Sequence, residues 1–167
     1  MREKACCFTG HRALPGEELG ALTEWLEREI CRLLEQGCTD FYVGGALGFD
    51  TLAAETVLRL RQQFPQLRLL LIVPCATQAD RWSARNQQRY RAIREAADEV
   101  TVLSKTYTAG CMHRRNRYMV DHSSVCLCYL RTARGGTAYT VRYARGHGCE
   151  VRNYCERDAA EQLTLFS

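Results

Sequence analysis

Short apolar runs alternate with amphipathic stretches along the whole chain, and no other feature constrains its fold more. The segments ACCF (5–8), FYV (41–43), LLLIV (69–73) and VCLCY (125–129) carry apolar side chains at successive positions. A strand of that kind is buried on both faces, as in a parallel sheet with helices on each side. Helical periods lie between the runs. Leu19, Leu22, Leu26, Ile30 and Leu33 recur at three- and four-residue spacing, which predicts a helix over 17–36 that ends at Gly37. The same reading predicts strands over 4–10, 41–43, 68–73, 99–103, 125–129 and 150–153. Further helices are predicted over 50–64, 77–97, 114–122 and 137–146. Pro65 stops the second helix, and Thr77 is the expected cap of the third.

This order predicts one Rossmann-like domain over residues 1–155, an α/β three-layer sandwich with a mostly parallel sheet. Residues 156–167 read as a polar tail with one apolar patch at 163–166. Ligands of such sheets bind at the carboxyl ends of the strands.

Composition narrows the class. Apolar runs such as 69–73 are far shorter than the ~20 residues that a membrane span needs. The short apolar stretch after Met1–Lys4 reads as a first strand and not as a secretory signal. A cytoplasmic protein with no membrane contact is the expectation. Ten cysteines are many, but none forms a Cys-x-x-Cys pair or a Cys/His group at zinc spacing. They read as small buried hydrophobes in a reducing compartment, so no disulfide, metal site or cofactor is expected. Net charge is +4, and of 23 basic residues only Lys4 and Lys105 are lysine. Arginine suits bidentate binding of phosphate or carboxylate, although base composition of the genome produces the same bias.

Three loops that follow strands could carry chemistry. After the first strand come Gly10, His11 and Arg12, placed to point over the sheet edge. After the second comes Gly44-Gly45-Ala46-Leu47-Gly48-Phe49-Asp50, a strand–turn–helix whose small residues let backbone amides approach a phosphate. Asp50 either caps the helix or accepts a ribose hydroxyl, and Glu55 lies one turn further on. After the fifth comes Arg134-Gly135-Gly136-Thr137, with the same logic and a hydroxyl added. The helix before that strand carries Arg114, Arg115 and Arg117, which cannot all face inward. Arg115 is expected to reach an anion on the Gly135–Thr137 amides. Trp82 and Tyr90 stand at two-turn spacing and read as core, whereas Tyr107, in a loop, is the better stacking residue. No nucleophile with an adjacent base is legible, and His113 and His122 form no pair.

Together these residues carry a resemblance. CCFTGHR (6–12), GGALGFDTLAAE (44–55), LLIVPC (70–75) and RNRYMVDHSSVCLCY (115–129) resemble the SLOG superfamily, and within it the bacterial YpsA-like family of unknown function. A more distant resemblance is to the LOG phosphoribohydrolases, which release a base from a nucleoside monophosphate. Met112, His113, Arg115 and Met119 fit their Met-His-x-Arg segment, and Gly136 and Thr137 fit the Gly-Thr of their P-G-G-x-G-T-x-x-E loop. Ala133 and Arg134 replace that loop's first two glycines, and Thr140 replaces its glutamate. Another branch, the DprA/Smf proteins, binds single-stranded DNA.

The resemblance implies binding of a nucleotide or nucleotide-derived small molecule, as sensor or regulator. Its expected site is Gly10, His11, Arg12, Gly44, Gly45, Gly48, Asp50, Arg115, Asn116, Asp121, Gly135, Gly136 and Thr137. An N-glycosidase would need a carboxylate from Asp50, Glu55 or Asp121 beside the ribosyl cation. A binder of single-stranded nucleic acid would want a basic groove with aromatic platforms. A homodimer stays open.

Overall fold

The computed structural model describes residues 2–156. Six strands form one sheet: β1 (Ala5–Gly10), β2 (Asp40–Val43), β3 (Arg68–Val73), β4 (Glu99–Val102), β5 (Val125–Tyr129) and β6 (Glu150–Asn153). Five helices connect them: α1 (Leu19–Glu35), α2 (Phe49–Arg61), α3 (Ala84–Ala96), α4 (Cys111–Asp121) and α5 (Gly136–Gly146). The strand order is β4-β3-β2-β1-β5-β6, and every pairing is parallel.

The doubly apolar strands fill two cores. Phe8, Phe41, Leu69, Leu71, Leu127 and Tyr129 point to one face, where Leu22, Leu26 and Ile30 of α1, Val57 of α2 and Ile93 of α3 cover them. Cys7, Ile72, Cys126 and Cys128 point to the other, under Met119 and Val120 of α4 and Val141 and Ala144 of α5. The sheet is thus the middle of three layers. All ten cysteines are unpaired, eight of them buried. The edge strand β4 departs from the pattern, with Val100 and Val102 partly exposed.

The chain steps outward from β1 through β2 and β3 to β4, then returns through α4 to β5 on the other side of β1. The carboxyl ends of β1 and β5 therefore flank the switch point, where the connections diverge and open a crevice.

Element boundaries move by up to three residues except at α3. Its expected start at Thr77 is corrected to Ala84. Residues 75–82 form successive tight turns, closed by Gln78 N–H to Cys75 O, Asp80 N–H to Thr77 O and Trp82 N–H to Ala79 O. Ser83 is the cap, its Oγ accepting from Asn86 N–H at 3.2 Å. The Gln87 side-chain amide holds the turns down through Ala79 O and Asp80 O. The tail's apolar patch at 163–166 lies outside the described residues. Among the described residues no helix is long and apolar enough to cross a membrane.

Candidate functional site

A two-lobed cleft runs along the carboxyl edge of the sheet. The smaller lobe, about 270 Å³, sits at the switch point between the loops after β1 and β5. The larger, about 540 Å³, lies beside it under the 75–82 turns. Arg12, Ala46 and Met112 line both lobes, so the two are continuous.

The start of α5 forms the wall of the smaller lobe. Gly135 precedes the helix at φ 98, a conformation that L side chains resist, and among the described residues no side chain caps the helix. Its first amides are thus without an intrahelical partner and carry the positive end of the helix dipole. A Cβ at Gly135 or Gly136 would meet open space, which leaves room for an approaching group. Thr137 stands at the rim, and the hydroxyl of Thr140 is engaged with Gly136 O at 2.9 Å. Arg134 lines this lobe, and Arg12 lines both. Both are exposed, and neither guanidinium has a partner among the described residues.

Across the lobe lies His11. Its Nε2 accepts the Arg131 backbone N–H at 3.0 Å, and its ring stands edge-on to Tyr129. Burial and then the Arg131 charge hold its pKa below the usual histidine value.

The floor holds two buried charges, Asp50 and Arg115. Asp50 is 5% exposed and accepts the Ala46 N–H at 3.2 Å. It therefore ties the loop ahead of α2, and neither of the two roles expected for it describes that contact. Burial raises its pKa to about 6, against the opposing pull of Arg115 and the loop amides. Arg115, 3% exposed, turns away from the Gly135–Thr137 amides that it was expected to serve. Its guanidinium donates to Gly44 O, and more weakly to Ile72 O and Gln78 Oε1, both at 3.4 Å. Its Nε donates to Asn116 Oδ1 at 2.7 Å. The residue pins the β2 loop to β3, and it reaches the cleft only as part of the floor.

The second glycine loop, whose small residues were expected to let backbone amides approach a phosphate, is packed against protein at Gly44 and Gly48. A Cβ at Gly44 would strike the Arg115 guanidinium, and one at Gly48 would strike the Arg12 carbonyl. Gly48 also sits at φ 78, just ahead of α2. The N–H of Phe49 already donates to His11 O, so this helix start is occupied by the first loop. Ala46 is the residue of the loop that lines both lobes.

Two expected carboxylates lie away from the cleft. Glu55 pairs with Arg89 on the surface of α2 and α3 at 2.6 Å. Asp121, at the far end of α4, accepts the Tyr143 hydroxyl at 2.8 Å. Asp50 is the one of the three catalytic candidates that the fold brings to the smaller lobe.

The larger lobe was missed as a unit. Trp82 packs edge-on against Tyr90 at 5.5 Å between ring centroids, so its core role is real. It also lines this lobe, as does Tyr107, which is 69% exposed. Arg81 and Asp80 line it as well. The helical reading of 77–97 hid this group; Ser83, a better cap than Thr77, was the signal that could have exposed it. Among the described residues no group of three or more His, Cys, Asp or Glu could hold a metal ion.

Similarity to known proteins follows the fold. The DNA processing protein A of Helicobacter pylori, described for its unique single-stranded DNA binding mode, matches at a TM-score of 0.65 and 19% identity, over 99% of this chain and 73% of that one. DprA of Streptococcus pneumoniae matches at 0.66 and 15%, over 99% and 57%. At such identities the likeness concerns the fold alone. A UPF0398 protein of Halalkalibacterium halodurans is 31% identical over 155 residues, covering 85% of this chain and 80% of that protein. A UPF0398 protein of Brevibacillus brevis is 29% identical over 129 residues, covering 75% and 69%. The model of the YspA SLOG family matches residues 8–154, nearly the whole described fold, and the chain belongs to that family.

Proposed function

We propose that this protein binds a nucleotide or nucleotide-derived ligand in the two-lobed cleft, as a sensor or regulator. The observation that carries the reading is the pairing of the glycine-led start of α5 with two exposed arginines, Arg12 and Arg134, whose guanidinium groups have no partner among the described residues, in one small lobe. Backbone amides at a helix N-terminus and guanidinium groups are what a phosphate needs. The adjoining lobe supports a nucleotide over a bare phosphate. It is larger, and Trp82 and Tyr107 offer it two flat apolar faces. Binding without turnover is favoured because Thr140 stands where the related hydrolases have a glutamate, and its hydroxyl faces Gly136 O. Asp50 is the carboxylate that a hydrolytic alternative would have to use.

A second reading, binding of single-stranded nucleic acid, is favoured by the fold shared with the DNA processing protein A structures, one of them described for that activity. It differs in needing several nucleotides in register. Mass spectrometry of small molecules released from the purified protein tests the first reading, together with calorimetric titration of nucleoside monophosphates. A retained or titratable mononucleotide is the expected result. Affinity that appears only for oligonucleotides and grows with their length would favour the second.

A further inference from the structure

We propose that His11 meets the phosphate-bearing ligand as a neutral hydrogen-bond donor through Nδ1, its tautomer fixed by the backbone of Arg131. The inference rests on the reading of the cleft given above and adds the chemistry of one contact. The Arg131 N–H points at Nε2 from 3.0 Å. A ring nitrogen that accepts a hydrogen bond carries no proton, so a neutral imidazole held this way bears its proton on Nδ1.

The ring is also fixed in place. Tyr129 stands edge-on to it, with centroids 5.8 Å apart and planes at 81°. The Tyr129 hydroxyl donates to Glu18 and accepts from Arg131 Nε, while the Arg131 guanidinium pairs with Glu18. One ring thus latches the loop after β1 to the loop after β5, the two sides of the switch point. Nδ1 has no partner among the described residues and is not sealed in the protein, and the ring lines the anion lobe.

The charged groups around the ring favour its neutral form. Arg12 follows it in the chain, Arg131 and Arg134 come from the β5 loop, and Arg115 comes from α4. Asp50 of α2 is the opposing carboxylate lining that lobe. Protonation of Nε2 would in addition set two N–H groups against each other. A neutral donor recognises an acceptor oxygen without adding charge to a lobe that already holds arginines.

Two substitutions separate this role from a structural one. His11→Gln keeps an acceptor near the position of Nε2 for Arg131 but offers nothing at Nδ1. His11→Asn keeps a donor near Nδ1 and abandons Arg131. Adenosine monophosphate and inorganic phosphate are titrated into each full-length protein by calorimetry, alongside thermal melts. The expected result is a roughly tenfold rise in Kd for His11→Gln with an unchanged Tm, the effect of one lost hydrogen bond. His11→Asn should melt lower but bind within about threefold of the native chain. The reverse order, or native affinity in His11→Gln, would overturn the proposal. Nitrogen-15 spectra of the native protein's histidine rings judge the tautomer without any ligand. An Nδ1–H signature that disappears in His11→Gln is expected, and an Nε2–H signature for that ring overturns the proposal. If the native chain binds neither probe, the phosphate reading itself falls, and the contact falls with it whatever the tautomer.

Discussion

Burial divides the work of the arginines that face the cleft. Arg115 is enclosed and holds Gly44 O, Ile72 O and Gln78 Oε1, whereas Arg12 and Arg134 stand exposed, their guanidinium groups without a partner among the described residues. Arg115→Ala should lower stability by about 3 kcal/mol or more, because it leaves buried carbonyls unsatisfied and the nearby Asp50 charge uncompensated. Arg12→Ala and Arg134→Ala should each change Tm little, and each should weaken binding of adenosine monophosphate by about 1.5–3 kcal/mol. Paired thermal melts and titrations check both statements. Asp50 contributes a pH dependence of the less common sign. Its pKa is near 6 when folded, above the ~3.9 of an unfolded aspartate, so the folded state binds the extra proton. Stability from this group is present below about pH 4 and is lost as pH rises through 6. Asp50→Asn should therefore gain on the native chain across that window, by about 1–3 kcal/mol at pH 7.5. A Tm difference that is flat from pH 4 to 7.5 would show that the carboxyl is not held in this way. At this scale the sequence was informative where a residue follows a strand-ending glycine, as His11 and Arg12 follow Gly10. It pointed Arg115 toward the Gly135–Thr137 amides, whereas the guanidinium goes to Gly44 O, because a buried side chain on α4 is aimed by what the β2 loop places beneath it.

At the scale of elements, two glycine turns of similar composition do opposite things. The turn before α2 is closed by contacts, with Gly48 at φ 78 and the Arg12 carbonyl where a Cβ would go. The turn before α5 is open around Gly136, which has no neighbour within 4 Å of a Cβ position and no positive φ. Gly48→Ala should destabilise by more than about 2 kcal/mol, since strained φ and a backbone clash add. Gly136→Ala should stay within about 1 kcal/mol of native stability. Denaturant melts of the two variants test the contrast, and equal effects would refute it. Composition alone cannot separate these turns, because the difference lies in the β1 loop that fills one of them. The start of α3 was illegible for a related reason. Residues 77–82 are compatible with a helix, and Ser83 and the Gln87 amide draw them into turns over the larger lobe.

For the whole molecule, the alternation of doubly apolar strands with helices was sufficient to establish a covered parallel sheet. Strand order was not legible, since it depends on which helices cover which face after the chain turns back at β4. That reversal creates the crevice, and it brings the loops after β1 and β5 together from 120 residues apart, as in the His11–Arg131 contact. The cysteines follow from the same layering: all ten should titrate with a thiol reagent after unfolding without reductant. In the native state Cys31 and Cys155, the two that are not buried, should react first. The central claim is that one cleft at this crevice binds a nucleotide by its phosphate. Calorimetric titration of adenosine monophosphate into the native chain and into the Arg12→Ala, Arg134→Ala double variant tests it most directly. The account predicts saturable binding to the native chain and a loss of about a hundredfold or more in the double variant, at an unchanged Tm. Equal affinity in the two proteins would contradict it.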